Sequence, residues 1–507
     1  MTVQLNGELY DLSQSEPFSV SMPTENLTVS FPVAVDGGFY LDVKVTSSSG
    51  NCGYNFPSVL VENSFAQPSD YLNVYGMPYS ILIEADNMGW IKTINGTTGQ
   101  IAYSNKGIAQ VLYNSMINGS TIYIRAGTYG FTSSFNATGF SNFNLLGEPG
   151  TIFQRPANTN YTVYYNFYSF FPMILIENCS NFKIQGIIFD GNAGNNKIQD
   201  PVPTGDGGNM NLKLERCSGG ILDNIQSINA WGDPLQIANS KDLSLTNSNF
   251  TNNAYVKTQY CLAIGGSKNI TVDDIYINGY GKALELFPPF TNKAADNLYH
   301  NQYLSFNRLT YIQNWTASLQ KYGYGSNTNQ SVFIWEANHV TFTDCNFLTA
   351  MTNIGNGVLF YPWNIVPPLF YSSNDVIFKG CIIDAGSYTQ GMALVDTTGV
   401  QLLNCTFLRG KFGAWLNGAN NTQIVDCVFK GILTPTAQQL YIGTDAAGNK
   451  CLNTIIDNCT FENVSVIPAQ LLVMSNSADN ITITPTNVFF GNPTVIIGHG
   501  NTGVNYG

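Results

Sequence analysis

Residues 340–347 read VTFTDCNF, and the same eight-place pattern returns as VIFKGCII at 376–383, VQLLNCTF at 400–407, TQIVDCVF at 422–429 and TIIDNCTF at 454–461. Its order is apolar, any, apolar, any, a turn former, a small or apolar residue, any, apolar. Looser copies begin at Phe182, Gly220, Leu243, Ile270, Leu304 and Ile481. Successive copies start 38, 23, 27, 34, 36, 36, 24, 22, 32 and 27 residues apart. Alternation around one turn former describes two short strands meeting at a bend, because successive side chains of a strand point to opposite faces. A floor near 22 residues with elastic additions predicts a parallel β-solenoid. One coil cannot bury its apolar face alone, so coils stack and length variation is pushed into loops.

The residue before each copy is Asn181, Gly219, Asp242, Asn269, Tyr303, His339, Asp375, Gly399, Asn421, Asn453 or Asn480. The fifth residue is Gly186, Asn224, Asn247, Asp274, Arg308, Asp344, Gly380, Asn404, Asp426, Asn458 or Pro485. In each column nine of eleven are Asn, Asp or Gly, which tolerate left-handed backbone or bond their own backbone at bends. Both columns are expected to be corners of the coil. The sixth position carries Cys345, Cys381, Cys405, Cys427 and Cys459, expected to point inward as small hydrophobes. The corner columns also explain residues that look chemical. Asp274, of the Asp273-Asp274 pair, and His339 fall in them, so both are expected to be structural; His499 lies beyond the last copy, away from any acid pair.

Only 11% of the residues are charged and the net charge is −12. Without a basic run, no nucleic-acid partner is expected. The first 98 residues hold ten acids against Lys44 and Lys92, which is −8 of that total. No apolar run reaches the roughly 18 residues of a membrane span, and the opening MTVQLNGE lacks the basic and apolar regions of a secretion leader. Neither a metal nor a cofactor is expected.

Fifteen Asn-x-Ser/Thr triplets occur, with Asn26, Asn95, Asn136, Asn160, Asn314 and Asn329 the acceptors expected to carry glycans in a glycosylating host. Asn404 and Asn458 are poor acceptors, each being a corner residue followed by an inward cysteine. Same-face neighbours on stacked parallel strands lie about 4.8 Å apart, wider than the roughly 3.8 Å between Cβ atoms of a relaxed disulfide. Free thiols are therefore expected in the ladder, while Cys52, Cys179, Cys217, Cys261 and Cys451 stay open.

Residues 1–98 alternate apolar and polar positions in FSVSM, LTVSFPVAV, YLDVKV and YSILIEA. They are expected to form a small antiparallel β-sandwich or barrel used for attachment or assembly. Residues 99–119 read as a linker and one helix, with Ile108, Val111, Leu112, Ser115 and Met116 on one stripe. The solenoid is expected over 120–492 and a tail over 493–507. The run of helix, then TIYIRAGTY at 121–129, then NFNLLGEPG at 142–150 resembles the opening of the pectate-lyase-like right-handed parallel β-helices. The resemblance spans about residues 100–490 and implies an all-β, right-handed solenoid whose first edge is plugged by the helix. That superfamily includes tailspikes, polygalacturonases and pectate lyases, so the fold does not name the chemistry.

Long insertions at 192–209, 287–302, 313–330 and 354–373 are rich in Tyr, Trp, Asn, Gly and Pro. Loops on a rigid scaffold commonly carry recognition, and Tyr299, Tyr303, Trp315, Tyr322, Tyr324, Trp335, Tyr361 and Trp363 are candidates for stacking on sugar rings. Glycoside hydrolysis needs two carboxyl groups about 5 to 10 Å apart; the candidates are Asp206, Asp233 and Glu285. GDPLQI at 232–237 is similar to the Gly-Asp-Asp segment of polygalacturonases, but Pro234 replaces the second aspartate. No lyase-like arginine motif accompanies it. The expectation therefore favours a viral or cell-surface spike over an enzyme. Its loops would meet a host surface glycan or glycoprotein, its N-terminal module would meet other virion or surface subunits, and a homotrimer is favoured. The abundant Asn-x-Ser/Thr triplets and sparse charge resemble virion proteins of archaeal viruses from hot acid springs. A polysaccharide hydrolase or depolymerase is the first alternative, and a purely architectural virion subunit the second.

Overall fold

The computed structural model describes residues 79–159, 172–196, 210–230, 232–252, 260–279, 282–287, 301–313, 332–334, 337–349, 358–360, 373–384, 390–409, 412–430, 438–444, 448–462, 470–473, 476–490, 494–498 and 500–506, with seven short strands before Tyr79. The chain divides into two compact units, Met1–Tyr79 with Gly96–Gly99, and Ser80–Asn95 with Gln100–Gly507. In the first unit Thr2–Leu5 pairs antiparallel with both Glu8–Asp11 and Val29–Ser30, and Phe39–Leu41 pairs antiparallel with Val59–Val61. The segment FSVSM lies outside the described residues.

The second unit is a right-handed parallel β-helix. Each coil contributes the two short strands of the repeat and a third that follows a variable connection. One coil runs Gln401–Leu403, Thr406–Leu408, Phe412–Asn417, and the next runs Gln423–Val425, Val428–Lys430, Gln438–Gly443. All three strands pair in parallel with their counterparts one coil on. The third strands together make a 13-stranded parallel sheet.

Backbone angles bear out the corners. All eleven residues of the first column have φ between 50° and 71°, and ten of the eleven in the second have φ between 48° and 72°; Pro485 is the exception, as its ring requires. Asn and Asp at such corners bond their neighbours along the stack. The Asn453 amide donates to Asn421 Oδ1 at 2.9 Å, Asn269 to Asp242 at 2.8 Å, and Asn458 to Asp426 at 2.7 Å. Asp274 and His339 are corner residues as expected, at φ 55° each. A third corner, after the third strand, places Asn178, Arg216, Asn239 and Asp396 at φ between 48° and 54°. Three of the five arginines hold left-handed corners, and each pairs with a carboxylate one coil back: Arg216 with Glu177, Arg308 with Asp273 and Arg409 with Asp384.

Inside, identical places stack. Phe306, Phe342 and Phe378 lie ring on ring at 4.7 and 4.6 Å, and Phe407, Phe429, Phe461 and Phe489 at 4.6, 5.0 and 4.8 Å. The five ladder cysteines, with Cys179, Cys217, Cys261 and Cys451, are buried and form no disulfide among the described residues; Cys52 lies outside them. Thiols in the ladder donate to the carbonyl of the coil before, as Cys427 does to Leu402 O at 3.3 Å and Cys459 to Ile424 O at 3.4 Å. Burial pushes the Cys217 thiol up to about 12. These nine thiols should resist alkylation at neutral pH in the folded protein and react together once denaturant opens the coils. Mass spectrometry of iodoacetamide-treated protein, with and without urea, measures this; rapid native labelling of any of the nine would contradict the closed stack.

The helix Ile108–Ser115 forms where expected and buries Ile108, Val111, Leu112 and Ser115. Its stripe joins the cluster containing Ile122, Phe135 and Phe143 of the first coil. Three boundaries differ from expectation. The hairpin Ile81–Ala85 and Ile91–Asn95 belongs with the solenoid, because Ile81–Ala85 pairs in parallel with Thr121–Ile124. Part of the expected linker is the strand Ile101–Asn105, paired antiparallel with Ile91–Asn95. The expected tail continues the stack, with Thr494–Ile497 on Gln470–Val473 and Asn505–Tyr506 on Ala478–Ile483.

Candidate glycan-binding face

Each third strand alternates between core and outside. Leu235 and Ile237 belong to the apolar core, so Gln236 and Ala238 face away from it. Strand register then aligns Lys213, Gln236, Ala263 and Glu285 on four successive coils. A second outward row aligns Glu177, Glu215, Ala238, Gly265 and Phe287. Although they face outward, Gln236, Ala263 and Glu285 are only 3%, 1% and 7% exposed. The row therefore faces away from the core and is nonetheless buried.

A small network of charged side chains lies on this face. Lys213 Nζ lies 3.1 Å from Glu215 Oε2, Arg216 bridges Glu177 and Glu215, and the Asn239 amide donates to Glu215 Oε1 at 2.8 Å. Small residues form the floor beside this network. At Gly265 an added Cβ would sit 1.9 Å from the Phe287 ring, so only glycine lets that ring lie flat across the strand. Gln236 Oε1 and Asn239 Oδ1 are buried and accept no hydrogen bond among the described residues. A buried acceptor left unpaired costs about 1–3 kcal/mol, and such groups call for a donor from water or a ligand.

Of the expected acids, Asp233 precedes the strand Leu235–Ala238 and is 5% exposed, Glu285 lies in the outward-facing row, and Asp206 is outside the described residues. Asp233 and Glu285 stand two coils across and three residues along the sheet, about 14 Å between backbones. Only converging side chains would reach the roughly 6.5–9.5 Å of an inverting pair. Tyr299, Trp315, Tyr322, Tyr324, Trp335, Tyr361 and Trp363 lie outside the described residues. Tyr303 is at a corner, with its ring between Lys268 Nζ, 5.5 Å away on the coil before, and His339, stacked at 4.8 Å on the coil after. His339 Nδ1 in turn lies 3.2 Å from Asp375, so this column is a self-contained ladder. Asn95 and Asn136 are exposed, whereas Asn26, Asn160, Asn314 and Asn329 lie outside the described residues. Among the described residues no group of His, Cys, Asp and Glu gathers as a metal site, and no helix is long and apolar enough to cross a membrane.

Lys213, Glu215 and Gln236 were not singled out by the repeat pattern. Their signal was present in the short segments LKLE at 212–215 and LQIA at 235–238, where Lys213 and Gln236 each stand between two core aliphatic residues.

No protein-family model and no curated protein matches the sequence. Among solved structures, the chain is similar to the A-module of a mannuronan C-5 epimerase from Azotobacter vinelandii, at 12% identity and a TM-score of 0.44 over 76% of this chain and 90% of that one. It is also similar to the ORF18 protein of Geobacillus virus E2, at 12% identity and TM-score 0.37 over 82% and 71%. The Dettilon tailspike protein matches at 9% identity and TM-score 0.42 over 77% and 64%. The fold is a parallel β-helix. Strand register and left-handed corners establish that architecture in this chain.

Proposed function

We propose that this protein is a virion or cell-surface spike whose β-helix recognises a host surface glycan through the outer face of its 13-stranded sheet. The observation that carries this reading is the outward-facing, buried row Lys213–Gln236–Ala263–Glu285, in which Gln236 Oε1 accepts no hydrogen bond among the described residues. A sugar hydroxyl donates to such an acceptor while its neighbours accept from Lys213 or donate to Glu285, which is how a few polar groups orient a ligand. The remaining parts of the reading are a homotrimer, with residues 1–79 as the attachment module.

The test incubates the protein and an Asp233→Asn variant with size-fractionated surface polysaccharides, scoring co-sedimentation and reducing-end release. Binding by both proteins without release is the expected result. Release that the variant loses would replace the spike by a depolymerase acting through Asp233 and Glu285. Absence of binding to every fraction would leave the architectural subunit.

A further inference from the structure

Thirteen large apolar or aromatic side chains are exposed among the described residues, and five of them, Met88, Trp90, Ile101, Tyr113 and Ile117, fall within residues 88–117 at the helix-capped end of the solenoid. Tyr113 and Ile117 are 63% and 59% exposed, and Ile101 is 60% exposed on the strand Ile101–Asn105, which packs beside the helix. A cluster of this kind is covered in the working protein or becomes an aggregation liability. Asn118 directly follows Ile117 and opens the triplet Asn118-Gly119-Ser120, an acceptor signal for N-glycans. It is exposed, and its Oδ1 accepts from the Ser141 N–H at 2.8 Å, which fixes the amide. Among the described residues its Nδ2, the atom that carries a glycan, donates to nothing. Beyond the chain neighbours, no heavy atom lies within 4 Å of where a Gly119 Cβ would stand, so the turn around the acceptor is open.

Other exposed triplets lie at coil corners, and there the acceptor nitrogen is already spent. Asn269, Asn458 and Asn480 hold φ of 55°, 48° and 57°. Each donates from Nδ2 to the coil before, to Asp242 at 2.8 Å, Asp426 at 2.7 Å and Asn453 at 2.6 Å. A sugar there would share Nδ2 with that bond at a place where the next coil stacks about 4.8 Å away. We infer that Asn118 is an N-glycosylation site whose glycan covers the apolar end of the solenoid, and that Asn269, Asn458 and Asn480 stay unmodified although they are exposed. The donor is a lipid-pyrophosphate-linked oligosaccharide. Asn118 Nδ2 attacks its C1, the N–C1 bond forms, the C1–O bond to the pyrophosphate breaks, and the amide proton passes to a base of the transferase. Transfer precedes folding, so the later burial of Ser120, whose hydroxyl donates to Ile117 O at 2.8 Å, does not oppose it. What the fold decides is which modified chains complete it: a sugar at a corner breaks the stack, and one at Asn118 lays its C–H faces over Ile117 and Tyr113. The inference stands independently of the glycan-recognition reading above.

The test secretes the full chain from a eukaryotic cell line that adds N-glycans, then releases the glycans enzymatically in heavy-oxygen water, which marks every asparagine that carried one. Peptide mass spectrometry should find Asn118 marked and Asn269, Asn458 and Asn480 unmarked. Asn118→Asp keeps an oxygen for the Ser141 N–H and removes only the acceptor amide, so it should lose one glycan mass and melt at the temperature of the parent. It should also bind severalfold more of an apolar fluorescent dye and sediment in part as larger species. Enzymatically deglycosylated parent protein gives the same comparison if the variant is not secreted. An unmarked Asn118, or corner asparagines marked as fully as Asn118 in the folded protein, overturns the assignment. Dye binding and sedimentation unchanged by loss of the glycan overturn its role as a cover.

Discussion

Phe342→Ala should cost about 3–5 kcal/mol of unfolding free energy, among the largest losses for any single side chain in the described solenoid. The Phe342 ring is fully buried and stacked on both faces, against Phe306 at 4.7 Å and Phe378 at 4.6 Å, with the Phe347 edge at 5.8 Å. Truncation removes all three contacts together. The space cannot close, because the backbone on either side is fixed by parallel ladders from Ala337–Thr343 to Asn301–Asn307 and to Asn374–Lys379, and packed interiors relax only partly around a void. Phe489→Ala supplies the comparison: it stacks on Phe461 at 4.8 Å and is only partly buried, so its loss should be about half as large. Urea titration of both variants measures the difference. Equal losses would mean that neither the second stacked face nor the deeper burial of Phe342 adds to its stabilisation.

Hydrogen exchange should also place the Phe342 effect within the coils nearest it. Each coil of a solenoid touches chiefly its neighbours, so stability is close to a sum over coils and interfaces. Amides of the strand pair at 337–349 and of the coils on either side should lose protection first, while the helix-capped first coil keeps its own.

The two-strand half of each coil was legible in the sequence because its physics is local. A left-handed corner admits few residue types, and an eight-place pattern of inward Phe, Ile, Val and Cys leaves little freedom of register. Tyr303, His339 and Arg308 hid inside those columns as exceptions, and their φ of 48° to 55° shows that position governed them nonetheless. The third strand was not legible as a column, because the connection before it varies in length and breaks the period. That is why Lys213, Gln236 and Glu285, spaced irregularly along the chain, appear as one row only once register is known. Composition misplaced the boundary at residue 98 for a related reason. The hairpin Ile81–Asn95 alternates like the strands before it, and nothing in its pattern announces the parallel partner Thr121–Ile124. The aromatic loop residues were read from composition and Asp233 from a motif, and neither signal carries the geometry that makes a site.

Gln236→Leu should move stability and binding in opposite directions, which separates a ligand contact from a structural amide. Among the described residues Gln236 Oε1 is buried without a donor, and Gln236 is 3% exposed. An unmet buried acceptor costs about 1–3 kcal/mol, and an apolar replacement of similar shape removes that penalty. The variant should therefore melt at the same temperature or higher. In the complex the same substitution removes the acceptor that a sugar hydroxyl would satisfy and buries the hydroxyl against a methyl group, so affinity should fall about 5- to 150-fold. Glu285→Gln, two coils away in the same row, keeps the size of the side chain and tests whether charge strengthens the contact. Scanning calorimetry and titration of one glycan preparation give both quantities. If Gln236→Leu lowers the melting temperature and leaves binding untouched, the amide holds the coil together and the recognition face must be sought elsewhere on the solenoid.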